Sequence, residues 1–198
     1  MTRGPLLLSL WLGLASVADA PAWALPTREA GPGVAANAPV LVLRWRTFAL
    51  PGGRFSVLLP GPPMTKTFAF ADGNIGHTFI IAGGENRYLV RYSEEAADAV
   101  RLLGPEKILL IEQDAFLSSH AGTAPRWRHL SLGTYPCQEI VISLPRHRQE
   151  TSRACLVANR MYHLVVVSLL SDPEAQADAD RFLNSFTPTP AASPNAAR

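Results

Sequence analysis

The sequence predicts an α+β domain in which a central antiparallel sheet of about six to seven strands carries helices on both faces. Three observations lead there. The run Tyr162–Leu170 places apolar residues at both odd and even positions, the mark of a strand covered on both sides. Before it, Cys137–Leu144 and Thr151–Ala158 alternate with a period of two and are joined by short turns, as antiparallel hairpins are. Two other stretches, opened by Pro105 and Pro173, show helical spacing instead.

The N-terminus reads as an export signal. Arg3 is followed by the apolar run Leu6–Val17 and then by small residues, ending in the small-x-small pattern Ala22-Trp23-Ala24. Ala18-Asp19-Ala20 fits the same pattern but leaves Pro21 first in the mature chain. The competing reading, an uncleaved anchor, needs roughly 18 apolar residues, and this run is shorter. Cleavage of a signal peptide 1–24 leaves 174 of the 198 residues, enough for one domain with a core. No other stretch is apolar enough to span a membrane. Residues 25–39, rich in Ala, Gly and Pro, read as a flexible leader, and residues 187–198 as a disordered tail. The single folded domain is 40–186.

Within it, Phe55–Leu59 follows Gly52-Gly53 and stops at Pro60-Gly61-Pro62-Pro63. Thr65–Phe70, Gly76–Ala82 and Arg87–Tyr92 continue the series through turns at Asp72-Gly73-Asn74 and Gly83-Gly84-Glu85-Asn86. Tyr88, Val90 and Tyr92 share one face. These spacings fit an antiparallel meander. A short helix fits Glu94–Leu103, and Pro105 opens a longer one to about His120 with Ile108, Ile111, Ala115 and Phe116 as its apolar stripe. Gly122 can end it. Trp127–Leu132 is again a strand. Asp172 caps the last helix and Pro173 opens it, with Ala175, Ala179, Phe182 and Phe186 on one face.

One register of the first hairpin satisfies two pairs at once. A turn centred on Arg146 sets Cys137 opposite Cys155 and Glu139 opposite Arg153, and opposed residues lie about 4.5–5.5 Å apart, within reach of a disulfide. A shift of one residue would put the cysteines on opposite faces. In an oxidising compartment an even pair of cysteines reads as a bridge, with two unlinked buried thiols as the competing reading. A second turn at Asn159-Arg160 sets Leu156 opposite His163, Ala154 opposite Val165 and Cys155 opposite Leu164.

The net charge of +2 indicates no particular partner, but sixteen of the eighteen basic residues are arginines. Arg44-Trp45-Arg46 and Arg126-Trp127-Arg128-His129 set guanidinium groups beside indoles. Such clusters bind anions or stack on bases; the bland alternative is an alternating strand with arginines outward and the aromatic inward. Export argues against nucleic acid as the ligand. The candidate anionic-surface residues are therefore Arg44, Arg46, Arg126, Arg128 and His129. Chemistry is harder to find. Neither a Gly-x-Ser-x-Gly elbow nor His-Glu-x-x-His occurs, nor a phosphate loop or a strand-to-helix dinucleotide fingerprint. The five histidines are scattered; His147 falls in a tight turn and His163 on the core strand. Glu94-Glu95 reads as helix-start charge rather than an acid pair. No catalytic residue, metal ligand or cofactor is expected.

Five segments resemble a known family: GRFSVLLPGPP (Gly53–Pro63), RYLVRYSE (Arg87–Glu94), GTYPCQEIVI (Gly133–Ile142), NRMYHLVVVS (Asn159–Ser168) and DADRFLNSF (Asp178–Phe186). In this order they resemble exported bacterial proteins of unassigned function related to the PsbP-like family, the type of the extrinsic photosystem II subunits. The resemblance covers nearly all of Arg44–Phe186 and implies a PsbP-like α-β-α sandwich. It departs at Cys137, where the set commonly has Gly, and Cys155 lies on the next strand, as an added disulfide would. Metal sites of PsbP-type proteins match no positions here. The resemblance implies an exported, non-catalytic accessory or binding module associating with a protein or membrane-associated assembly of the envelope or thylakoid lumen. Its destination would be the periplasm or the exterior, or the lumen in a photosynthetic host. The alternative is a small-ligand or envelope-lipid binding protein with a pocket between the sheet and the Pro105–His120 helix; a hydrolase ranks behind both.

Overall fold

The structure, a computed structural model, describes residues 44–189 apart from 51, 71–72 and 121–122. The expected signal peptide 1–24, the leader 25–39 and residues 190–198 of the expected tail lie outside the described residues.

The hairpin whose register the sequence predicts lies beside the central strand of the main sheet. Strand β7 (Tyr135–Leu144) turns through Pro145–His147 into β8 (Arg148–Val157). Arg146 and His147 both take positive φ, 61° and 55°, to close it. The register is the one two independent pairs required: Cys137 faces Cys155 and Glu139 faces Arg153. The cysteines form a disulfide with their Cα atoms 4.2 Å apart, and both are buried.

The second turn differs from the expected one. Positive φ falls on Ala158 (56°), and β9 begins at Arg160 rather than Tyr162. Leu156 therefore faces Met161, Cys155 faces Tyr162 and Ala154 faces His163. The shift from the expected pairing is two residues, which leaves every side chain on its face. It draws Arg160 into the strand, where Glu94 and the Gly52 carbonyl bind its guanidinium.

β9 (Arg160–Leu169) is the fourth strand of a seven-stranded antiparallel sheet ordered β3-β4-β5-β9-β8-β7-β6. Here β3 is Met64–Ala69, β4 Ile75–Gly83, β5 Asn86–Glu94 and β6 Arg126–Leu132. Nine of the ten β9 residues are buried, as a central strand covered on both faces requires.

One face carries α3 (Pro173–Asn184), whose Asp172 cap accepts from the Glu174 and Ala175 amides. Beside it lies a second, three-stranded sheet of β1 (Arg46–Leu50), β2 (Phe55–Leu59) and β10 (Thr187–Pro188). The meander read from the sequence included Phe55–Leu59, but β2 leaves the main sheet. The Pro60–Pro63 stretch lacks the amides to continue a ladder, while Phe55, Val57 and Leu59 bury one edge-on stripe against Phe79, Tyr92 and Phe186. Thr187 and Pro188, assigned by sequence to the tail, pair with Ser56 and Phe55.

The opposite face carries α1 (Ala97–Leu103) and α2 (Pro105–Ser119), separated by Gly104 at φ 79°. α2 buries Ile108, Leu109, Gln113 and Phe116. Compared with the expected stripe the helix is rotated, so Ile111 and Ala115 are only half-buried and Gln113 points inward. No helix among the described residues is long and apolar enough to cross a membrane.

Candidate interaction surface

β6 is the outer strand of the main sheet on the side away from β3. Its first four residues, Arg126, Trp127, Arg128 and His129, are all exposed. Strand alternation places Arg126 and Arg128 over Val141 and Glu139 of β7, on the α3 face, whereas Trp127 opposes Ile140 and belongs to the α2 face. The bland expectation of an inward aromatic therefore fails here: Trp127 is 51% exposed. It is not part of the apolar cluster around Phe116 of α2, which packs on β7 and β8. For the other cluster the bland expectation describes the geometry. Arg44 and Arg46 are exposed, and Trp45 packs into the core edge-on to Tyr88 with Arg181 over its ring. Arg44 and Arg46 thus lie at the start of the small sheet, apart from the β6 cluster in topology.

Arg128 does not wave freely. Its Nε donates to Glu139 Oε1 at 2.9 Å, and the other oxygen of Glu139 accepts from Arg153 Nε at 3.0 Å and Nη2 at 2.7 Å. Arg153 continues through Nη1 to the Leu183 carbonyl at 2.7 Å, at the end of α3. Glu139 is 4% exposed, and a buried carboxylate gripped from both sides fixes both guanidinium groups. Sequence reasoning found the Glu139–Arg153 pair and missed Arg128, because the pairing of β6 on β7 was not read.

Between β6–β8 and α3 opens a groove of about 330 Å³, walled by Arg126, Arg128 and Glu139 on one side and by Gln176, Asp180 and Leu183 on the other. It lies on the α3 face, not beneath α2 where a ligand pocket was expected. The space beneath α2 is taken up by Ile108, Leu109, Phe116 and a polar layer.

Of that polar layer only His163, on the core strand, was legible in the sequence. His163 is 5% exposed, with Glu112 Oε2 3.6 Å from its Nε2 and Arg91 opposite it on β5. The distance to Glu112 is too long for a hydrogen bond. Complete burial, and then Arg91, push the imidazole down to about 3, so it is neutral at physiological pH. Burial also lowers Arg91, against the pull of Glu112, and raises Glu150, against the pull of His120. Gln113 and Gln138 are buried with their Oε1 atoms unpartnered among the described residues, although Gln138 Nε2 donates to the Leu109 carbonyl at 2.7 Å. Neither this layer nor any other part of the described residues gathers three His, Cys, Asp or Glu side chains that could hold a metal.

A third polar cluster is architectural. Glu94 accepts from Arg54 and Arg160, Arg160 lies over the Tyr92 ring, and Tyr162 Oη donates to the Gly53 carbonyl at 2.8 Å. Together these clamp the small sheet to the large one.

The fold so described is PsbP-like. A solved structure with this architecture is the solution structure of cyanobacterial PsbP (CyanoP) from Synechocystis sp. PCC 6803. It is similar with a TM-score of 0.51 and 11% sequence identity, over 79% of this chain and 98% of that one. No protein-family model matches the chain, and no curated protein does.

Proposed function

We propose that this chain is an exported, non-catalytic binding module that docks through its β6 edge onto a protein assembly of the periplasm or, in a photosynthetic host, the thylakoid lumen. One observation carries the reading: Arg126, Trp127, Arg128 and His129 stand exposed together on an open sheet edge, with Arg128 held in place by the buried Glu139. Arginine and tryptophan are the residues most enriched where protein interfaces concentrate their affinity. The disulfide supports an oxidising destination, and the likeness of fold to cyanobacterial PsbP is compatible with it.

The groove favours a second reading, a small-ligand or lipid-headgroup binder. Its volume of about 330 Å³ falls at the low end for small-molecule sites. Charged and polar side chains outnumber apolar ones in its walls, whereas such sites are mostly apolar, so this reading stands second.

The test is mild crosslinking of the tagged mature protein in its native host, followed by mass spectrometry of what is recovered. A single recurrent protein complex, released as salt is raised, is the expected result. Recovery of the protein alone, or with a copurified small molecule, would overturn the binding-module reading in favour of the second.

A further inference from the structure

We infer that β6 takes an acidic, extended segment of its partner protein as an additional strand of the main sheet. The inference deepens the binding-module reading and rests on it.

An outermost strand presents a row of amide and carbonyl groups with no ladder partner. β6 runs seven residues in unbroken register on β7, from Arg126 opposite Val141 to Leu132 opposite Tyr135. No backbone hydrogen bond from any other described segment reaches it. Proteins commonly blunt such an edge with charged side chains, proline, a bulge or a covering loop. β6 has no proline, and its register skips no residue. What it has is charge, and that charge is arranged rather than scattered. Arg126 and Arg128, two apart, project on one face. Arg126 forms no ion pair with a described residue, and Arg128 shares Glu139 with Arg153. Two arginines held by one carboxylate, with a third beside them, leave a fixed surplus of positive charge along the edge. Arg128 remains 66% exposed while its orientation is set, so little entropy is lost when it meets an anion.

Strand addition then dictates the occupant. Carboxylates at alternate positions of the incoming strand meet Arg126 and Arg128 across the new pair. The residue between them falls on the other face, beside the exposed Trp127, and is apolar. Asp180 on the far wall of the groove repels an acid placed deeper and keeps the acidic row at the edge. The opposite outer strand, β3, carries a single cation, Lys66, and offers no such match. Main-chain pairing supplies affinity in this mode, and the alternating side chains supply specificity.

The experiment uses the mature protein and a fluorescein-labelled seven-residue peptide with glutamate at alternate positions and valine between them. Controls are the same peptide with lysine for glutamate, and two versions N-methylated on one or the other alternate set of amides. The glutamate peptide is expected to bind and the lysine peptide not. Arg126→Glu should weaken binding about threefold to fivefold, the size of a solvent-exposed ion pair. One N-methylated version should lose binding and the other keep it, because only one set of amides faces β6. Hydrogen exchange should slow at the β6 amides on binding. Binding that survives both methylations, slowing confined to another strand, or no binding of the glutamate peptide would each overturn strand addition. If host crosslinking still recovers a complex through another surface, the binding-module reading survives that failure; if it recovers none, both fall together.

Discussion

The two faces of the main sheet are built from different materials. On the α3 side the core is aromatic: Phe55, Phe79, Tyr88, Tyr92, Tyr162, Phe182 and Phe186 form a continuous cluster. Successive rings meet at centroid distances such as 5.2 Å for Tyr88–Phe182 and 5.9 Å for Phe55–Tyr162, both edge to face. On the α2 side the apolar contacts divide into two smaller groups, around Leu109 with Met161 and around Phe116 with Ile142. Gln113, Gln138, Ser152, Glu150 and His163 are buried there too. The first face gathers its apolar residues into one cluster with Glu139 and Asn86 buried beside it; the second divides them among more buried polar groups, at a greater cost in desolvation. The basic side of β6 belongs to the first face and is tied through Glu139 and Arg153 to the end of α3. An interaction edge whose arginine is held in place by a buried partner is preorganised for binding.

The sharpest way to break this comparison is a matched pair of truncations. Phe182 is fully buried, and Phe182→Ala should cost about 3–5 kcal/mol in chemical denaturation. Phe116→Ala, on the other face, should cost clearly less, since its surroundings already admit polar atoms. Equal losses would abolish the distinction between the faces.

Removing the disulfide should come next. It closes a loop with a sequence separation of 18, and replacing both Cys137 and Cys155 by Ala should lower stability by about 3 kcal/mol on the loop-closure account. Differential scanning calorimetry with and without reductant checks the same point in the unaltered protein.

The polar layer makes a pH-dependent prediction. His163 has its folded pKa lowered from 6.5 to about 3. Between those values the unfolded chain binds a proton there and the folded chain does not, so stability is lost as pH falls through that window. At pH 4 the loss from this one site should be about 3 kcal/mol. His163→Gln removes it, so the variant's stability should fall less steeply than that of the wild type from pH 6.5 to 4. Glu150, raised by burial, acts in the opposite sense, which is why the difference between the two proteins is the quantity to measure. Parallel curves would mean that folding leaves the proton affinity of His163 unchanged.

The smallest effect on stability belongs to the edge. Arg126 is exposed and makes no ion pair with a described residue, so Arg126→Glu should change stability by no more than about 0.5 kcal/mol. A larger change in the denaturation midpoint would mark Arg126 as structural rather than recognitional.

How much of this was legible in the sequence depended on whether two constraints met. The β7–β8 register was readable because a cysteine pair and a charge pair demanded the same alignment. The β8–β9 turn was set two residues off, because a two-residue slip keeps every side chain on its face and the apolar pattern of Tyr162–Leu170 is indifferent to it. Only Arg160, bound by Glu94 in the fold, separates the alternatives, and that contact spans 66 positions. The place of β2 in a separate sheet was hidden for a similar reason: alternation shows that a strand buries one face, not which sheet it joins. At the candidate edge, the arginines were legible as a cluster, but whether Trp127 turned in or out depended on how far α2 extends over β6. His163 was legible as a core-strand residue, but the buried glutamines it meets were not, because they come from α2 and β7 and turn inward only when α2 is rotated from its apparent apolar stripe.

The decisive measurement places a photo-crosslinking residue at two exposed positions in the host, one at a time: His129 on β6 and Leu110 on α2, which is 41% exposed. Leu102 and Leu103 on α1 are exposed as well, so the helical face is the natural rival docking surface. Adducts of one recurrent protein from position 129, and only background from position 110, are what this account predicts. Specific adducts from position 110 with none from position 129 would contradict it and move the interaction surface to the helical face.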